Sequence, residues 1–140
     1  MWLIYALLAA VFAALVSIFA KIGLQSIDAN TATTIRAVIM ALFLIIMIIV
    51  QGSLYHIPVI LADKKALTFI ILSGIAGALS WLFYFLALKH GKVSQVAPVD
   101  KFSVVIASLL AIIFLGEKLS LFGKIGISLI TFGVIFIALG

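Results

Sequence analysis

Among the charged side chains within or beside apolar stretches long enough to cross a membrane are Lys21, Arg36, Asp100 and Lys101. Their three positive charges and one negative charge sum to +2. A charge at the centre of a membrane helix costs about 2.5 to 3.5 kcal/mol to insert, so such side chains usually face one another or a cavity. We therefore expect Arg36 and Asp100 to form an ion pair, which leaves Lys21 or Lys101 to bind an anionic substrate group. The alternative is that all four lie within two turns of the interface, where long cationic side chains reach water.

An aromatic group lies on one face of the third apolar stretch. Gly77, Ser80, Trp81 and Tyr84 follow the spacing i, i+3, i+4, i+7 of a single helical face. Trp81 is too deep in its stretch to anchor at the headgroups. Small, polar and aromatic groups together suit a cavity that binds a small organic molecule. We expect Trp81 and Tyr84 to line that cavity; packing of this face against another helix is the alternative.

The sequence offers no pattern typical of catalysis or metal binding. It has no Cys, which excludes disulfides, thiolate metal sites and Cys nucleophiles. His56 and His90 fall in different loops, the four acidic residues are scattered, and no phosphate-binding loop appears. We expect neither an enzymatic activity nor a cofactor.

The composition is that of a membrane protein. Hydrophobic residues make up 67% and charged residues 9% of the chain, against roughly 25% charged in soluble domains. A chain of 140 residues exposes a large share of its surface, so the excess apolar side chains must face lipid. The net charge of +5 is spread over the ends of loops, which indicates topology rather than a nucleic-acid surface. We expect a multi-pass protein of the cell membrane without a nucleic-acid partner.

Five stretches approach the roughly 20 apolar residues that a membrane helix needs. We place helices near residues 2–20, 32–50, 66–88, 96–115 and 121–139. Continuous apolar runs without period-2 alternation favour helices over a β-barrel. No basic region precedes the first run, which argues against a signal peptide. The predicted fold is an all-α integral membrane bundle, with residues 1–140 as one domain.

The short loops give little preference for one orientation. The face that holds the N-terminus carries Lys64, Lys65, Lys118 and Lys124. The opposite face carries Lys21, Arg36, Lys89, Lys92 and Lys101. Orientation normally follows the Lys and Arg excess, and here it is four against five. Insertion in both orientations with antiparallel pairing, and one orientation set by other features, both stay open.

Pro98 allows two interpretations of the fourth stretch. Inside the helix, it would leave the carbonyl of Ser94 without its partner and kink the span. As the first helical residue, it would place Asp100 in the first turn, where a carboxylate favours the helix dipole. The second interpretation is slightly favoured, because residues 98–115 alone nearly suffice to cross.

The last stretch carries glycines at a regular interval. Gly126, Gly133 and Gly140 recur every seven residues, and Gly123 lies one turn before the first of them. Small residues at this spacing allow helices to approach closely. Helix packing is the predicted role.

Several segments together resemble one membrane family. They are GIAGALSWLFYFLAL at 74–88, GKVSQVAPVDK at 91–101, LGEKLS at 115–120, KIGL at 21–24 and TIRA at 34–37. The combination of the Leu-Gly-Glu turn, ALKHG at 87–91 and an early proline in the fourth span is more specific than any one part. On these segments the chain is similar to the EamA domain of the drug/metabolite transporter superfamily, over nearly its whole length.

The resemblance implies a carrier built from two such domains. Family members with ten spans contain two domains in inverted orientation with the substrate cavity between them, a general transporter plan. With one domain, this chain is expected to be a half-size subunit that moves a small metabolite, drug or lipid-linked sugar. Its partner would be an antiparallel copy or a similar chain. The alternative function is a membrane scaffold or accessory subunit that transports nothing.

Overall fold

The computed structural model describes the chain from Met1 to Gly140, and all of its regular secondary structure is α-helical. Seven helices follow in order: α1 Trp2–Gly23, α2 Ala29–Val50, α3 His56–Ala62, α4 Lys64–His90, α5 Val93–Asp100, α6 Phe102–Leu115 and α7 Leu121–Leu139. Five segments are long and apolar enough to cross a membrane, namely α1, α2, α4, α7 and the α5–α6 segment. The predicted all-α membrane bundle with five spans is confirmed.

Helices α2 and α4 begin earlier than their apolar runs because polar side chains cap them. The Asp28 side chain accepts a hydrogen bond from the Thr31 backbone N–H at 2.9 Å, which starts α2 three residues before the predicted position. Asp63 accepts in the same way from the Ala66 N–H at 3.0 Å, and α4 starts two residues early. These caps satisfy N–H groups that have no partner inside the helix. The helix ends therefore depend on capping as well as on hydropathy.

The polar break between α2 and α4 contains the short helix α3. Pro58 lies in this break. Pro58 is the third residue of α3, a position where a missing N–H costs no intrahelical hydrogen bond. With seven residues, α3 is far too short to cross a bilayer.

The chain divides into two compact units. One comprises residues Met1–Lys21 and His90–Gly140, and the other comprises Ile22–Lys89. In the first unit, α5 and α6 both pack on α7. The second unit contains α2, α3 and α4, and a groove lies between its two long helices.

Most large apolar side chains in both units are exposed rather than packed in a core. Few hydrophobic residues are buried, and they are Leu24, Ala29, Phe85, Leu88, Val105 and Val134. Exposed apolar surface on this scale is unfavourable in water but neutral in hydrocarbon. The exposure therefore agrees with helices that use lipid as their solvent.

The fourth span is broken. Pro98 lies inside α5, which ends at Asp100, and α6 begins at Phe102. The Lys101 N–H bonds the Pro98 carbonyl at 3.0 Å instead of continuing the regular four-residue pattern. The interpretation with Pro98 inside a helix is therefore confirmed. The favoured interpretation, with Asp100 in a first turn, is wrong because α5 already starts at Val93, where Lys92 accepts the first helical hydrogen bonds.

Two classes of glycine differ in the last part of the chain. Gly116 ends α6 with φ of 68°, in the left-handed region that favours glycine. A Cβ added at Gly126 or Gly133 would meet no atom within 4 Å. The close helix packing predicted at these two positions is therefore not found within their unit, where no neighbour occupies the space.

Candidate functional site

A groove of about 810 Å³ lies between α2 and α4 in the second unit. Its volume falls within the range of roughly 300 to 1,000 Å³ that is typical of small-molecule sites. The polar lining residues all come from the first two turns of α2, and they are Asn30, Thr33, Thr34 and Arg36. Further along α2 and on α4 the lining is apolar or aromatic. The groove therefore has a polar end, formed by the start of α2, and is apolar over the rest of its length.

Arg36 lies over the indole ring of Trp81. The guanidinium carbon is 3.7 Å from the ring centroid, and the Phe85 ring follows at 5.5 Å. A desolvated cation over a Trp face gains about 2 kcal/mol, which offsets much of the roughly 2.5 to 3.5 kcal/mol cost of a cation at mid-membrane. The ring face compensates part of the positive charge. It has no oxygen atom, however, so it does not accept conventional hydrogen bonds from the guanidinium N–H groups.

Neighbouring aromatic side chains fix the orientation of Trp81. Tyr84 and Phe85 both meet the Trp81 ring edge to face, with centroid distances of 5.6 and 5.9 Å. Phe85 is buried. Such pairs contribute about 0.5 to 1.5 kcal/mol beyond burial. The indole therefore presents a fixed face to Arg36.

Arg36 and Trp81 lie at similar depths in their helices. Arg36 is seven residues from the first residue of α2, and Trp81 is nine residues from the last residue of α4. At 1.5 Å per residue these distances are about 10 and 14 Å. Because α2 and α4 cross in opposite directions, both ends belong to the same side of the membrane. The pair lies about two turns or more inside its spans.

The threonines at the polar end bond to their own helix. Thr33 and Thr34 donate their hydroxyl hydrogens to the carbonyls of Ala29 and Asn30, at 2.7 and 2.9 Å. This back-bonding satisfies both hydroxyls inside an apolar surrounding. Their oxygen atoms keep acceptor capacity towards the groove.

The other predicted site residues lie in the first unit. Asp100 and Lys101 pair with each other at 3.2 Å, at the break between α5 and α6. The Lys21 ammonium donates to the Gly91 carbonyl at 2.8 Å, near the end of α1. The proposed pair of Arg36 with Asp100 would join the two units and stays a prediction, as does substrate binding by either lysine.

The groove contains part of the predicted aromatic face. Gly77 and Trp81 line it, whereas Ser80 and Tyr84 do not, and Tyr84 contacts the Trp81 ring instead. Residues of α2 that the sequence did not single out also line the groove, including Asn30, Thr33 and Ala37. Their spacing of i, i+3 and i+7 marks one helical face of small and polar residues, which was a usable signal.

Comparisons with known proteins identify the family. The model of the EamA-like transporter family matches residues 1–139. The chain belongs to the EamA-like transporter family. An uncharacterized transporter of a Sinorhizobium species, encoded in the cobO 3' region, is 41% identical over 137 residues, covering 98% of this chain and 96% of that protein. An uncharacterized protein of Methanocaldococcus jannaschii is 34% identical over the same coverage. No solved structure matches the chain.

Membership agrees with the five spans and establishes the general class. EamA-like proteins are transporters rather than enzymes, and the five apolar helices make this one a multi-pass integral membrane protein. Because each match covers 96% of the relative, neither of these two relatives has room for a second domain of this size.

Proposed function

We propose that this EamA-like chain is a half-size transporter that moves a small organic solute across the membrane, with its site in the α2–α4 groove. The observation that carries the proposal is the Arg36 guanidinium over the Trp81 ring, inside a groove of about 810 Å³. A scaffold would not need a membrane-embedded cation, which is costly to insert and marks substrate pathways in membrane proteins.

Transport requires two such domains. One five-span domain offers one wall of a cavity, and alternating access needs two elements that rock about a central site. The short length of both relatives supports a chain that pairs instead of carrying its own second half. The partner is an antiparallel copy or a similar chain, and the four-against-five distribution of loop charges suits insertion in both orientations.

Solute release from proteoliposomes tests the proposal for many solutes at once. Vesicles that contain only the purified protein are loaded with a defined mixture of amino acids, sugars, nucleosides and organic acids, and the released solutes are measured by mass spectrometry. We expect one chemically related group to leave faster than from protein-free vesicles. Release no faster than the protein-free rate, for every solute and with folded protein in the membrane, would favour the scaffold or an obligatory second chain.

A further inference from the structure

We infer that the α2–α4 groove selects organic monoanions with an apolar body, and that Arg36 binds their carboxylate group. The role of this site in transport rests on the proposed function. Binding of the anion is argued from the residues of the groove alone. Three properties carry it: the charge of the groove, the hydrogen-bonding state of Arg36 and the chemistry of the remaining lining.

The charge of the groove favours a single negative charge. Arg36 is the one charged residue among those that line it. A monoanion would leave the occupied groove neutral, whereas a dianion such as a phosphate monoester would leave one uncompensated negative charge. Uncompensated charge is strongly disfavoured where water is scarce. The groove should therefore discriminate between these two classes.

The geometry of Arg36 leaves its donors available. Its guanidinium carbon lies 3.7 Å from the Trp81 ring centroid, a stacking distance, and 5.5 Å from the Phe85 centroid, and no carboxylate of its own unit pairs with it. Ring stacking occupies the flat face of a guanidinium, while the N–H donors lie in its plane. A carboxylate can therefore accept two parallel N–H bonds at the edge, the strong bidentate arrangement, without displacing Trp81.

The rest of the lining requires an apolar body. Beyond Arg36 the groove is formed by side chains such as Met40, Leu44, Leu79 and Leu82. A polyhydroxylated or multiply charged acid would place polar groups against these side chains without partners, which is unfavourable. An aromatic or aliphatic chain would instead bury apolar surface there. Together these features describe a monocarboxylate with a hydrocarbon body.

Trp81 provides a direct reporter of binding. The chain has two Trp residues, Trp2 and Trp81, so tryptophan fluorescence, excited selectively over tyrosine, comes from the groove alone in the Trp2→Phe variant. This variant, purified in a non-ionic detergent, is titrated with 4-phenylbutyrate, with the neutral 4-phenylbutan-1-ol and with dianionic phenyl phosphate. We expect a saturable change with phenylbutyrate and at least tenfold weaker affinity for the other two. Equal affinity for the alcohol, or tighter binding of phenyl phosphate, would overturn the inference. This test needs no substitution of Arg36.

Substitutions then assign the charge. On the Trp2→Phe background, Arg36→Gln should weaken phenylbutyrate binding at least tenfold, Arg36→Lys should weaken it less, and Lys124→Gln should leave it unchanged as a control cation on another helix. Circular dichroism verifies the fold of each variant. If Lys101→Gln removes binding while Arg36→Gln does not, the anion site lies at the α5–α6 break and the inference is wrong.

Two further results separate the inference from its alternatives. If phosphatidylglycerol displaces phenylbutyrate and binds more tightly, the groove holds a lipid headgroup and the inference is overturned. Release of only neutral solutes from the proteoliposomes would contradict the inference while supporting transport. Tight phenylbutyrate binding without release of any solute would support the site and contradict the transport function.

Discussion

At the residue scale, Arg36 is held by a balance of two free energies. Insertion of a cation costs at most about 2.5 to 3.5 kcal/mol, the value at the centre of a membrane helix, and the Trp81 face returns about 2 kcal/mol. The remaining deficit is small, and a bound carboxylate would more than offset it through charge-assisted hydrogen bonds. This balance explains why a cation is tolerated at a depth of about two turns.

The first prediction concerns Trp81. Trp81→Ala removes the ring beneath Arg36 and opens the groove, so transport of the solute identified in the release assay should fall at least tenfold. Phe83→Ala is the matched control, because Phe83 is an exposed aromatic residue on the same helix outside the groove lining. Initial rates in proteoliposomes with equal amounts of protein give the measurement. Equal rates for Trp81→Ala and the parent would place the site elsewhere.

Sequence reasoning identified Trp81 but not its partner. The depth of Trp81 in an apolar run and its spacing from Gly77 were sufficient to propose a cavity wall. For Arg36 the sequence suggested Asp100, because charge complementarity suggests a carboxylate before it suggests a ring, and that ion pair stays a prediction. The periodicity of one helix identifies which residues share a face but not which helix lies opposite. The pairing of Arg36 with Trp81 depends on the placement of α2 beside α4.

At the element scale, Asp28 controls the start of the helix that carries Arg36. Hydrogen bonds from the Thr31 backbone N–H and then from the Thr31 hydroxyl lower the pKa of Asp28 below its ordinary value of 3.8, with a smaller contribution from Lys89. A carboxylate with a lowered pKa in the folded state stabilises it above the ordinary pKa. That stabilisation is lost as the pH falls through the lowered value.

The second prediction follows from this cap. At pH 7, Asp28→Ala should melt at a lower temperature than the parent, while Asp28→Asn, which keeps an acceptor, should lie close to the parent. At about pH 2.5, well below the ordinary pKa, the melting temperature of the parent should approach that of Asp28→Ala. The difference in melting temperature between the Asn and Ala variants should persist. Thermal melting followed by circular dichroism in detergent gives these values. A difference between parent and Asp28→Ala that is the same at both pH values would contradict the cap.

The helical elements were more predictable than their ends and interruptions. Five apolar runs were enough to predict five spans, since span length is set by the bilayer. The early starts of α2 and α4 depend on capping by Asp28 and Asp63, which hydropathy does not report. The break at Lys101 could not be predicted, because it required knowing that α5 begins at Val93. The residues around Pro98 are compatible with either start of the helix.

At the scale of the whole molecule, five spans place the two termini on opposite faces of the membrane. The third prediction is that tags at the N- and C-terminus of one molecule are never labelled from the same side. Impermeant labelling of intact cells, followed by isolation of the molecules labelled at one tag and detection of label at their other tag, measures this. A population in which both tags are outside on the same molecule would contradict the five-span topology, even if α1 to α7 are all helical.

The fourth prediction concerns assembly. Contact with hydrocarbon would be unfavourable for the polar end of the α2–α4 groove and for Arg36. An antiparallel partner would cover this face and complete the cavity. Because four positive residues on one face oppose five on the other, two or three added lysines should fix the orientation of the whole chain.

The most direct test of the half-size transporter is therefore transport by a protein with one fixed orientation. Two or three Lys residues are added to the loop at residues 116–120, a second version receives the same number on the opposite face, and each is expressed alone and together without the parent. For an antiparallel homodimer, we predict that each version alone is inserted and folded but inactive, and that co-expression restores transport. Full transport by one fixed version alone would contradict the antiparallel homodimer.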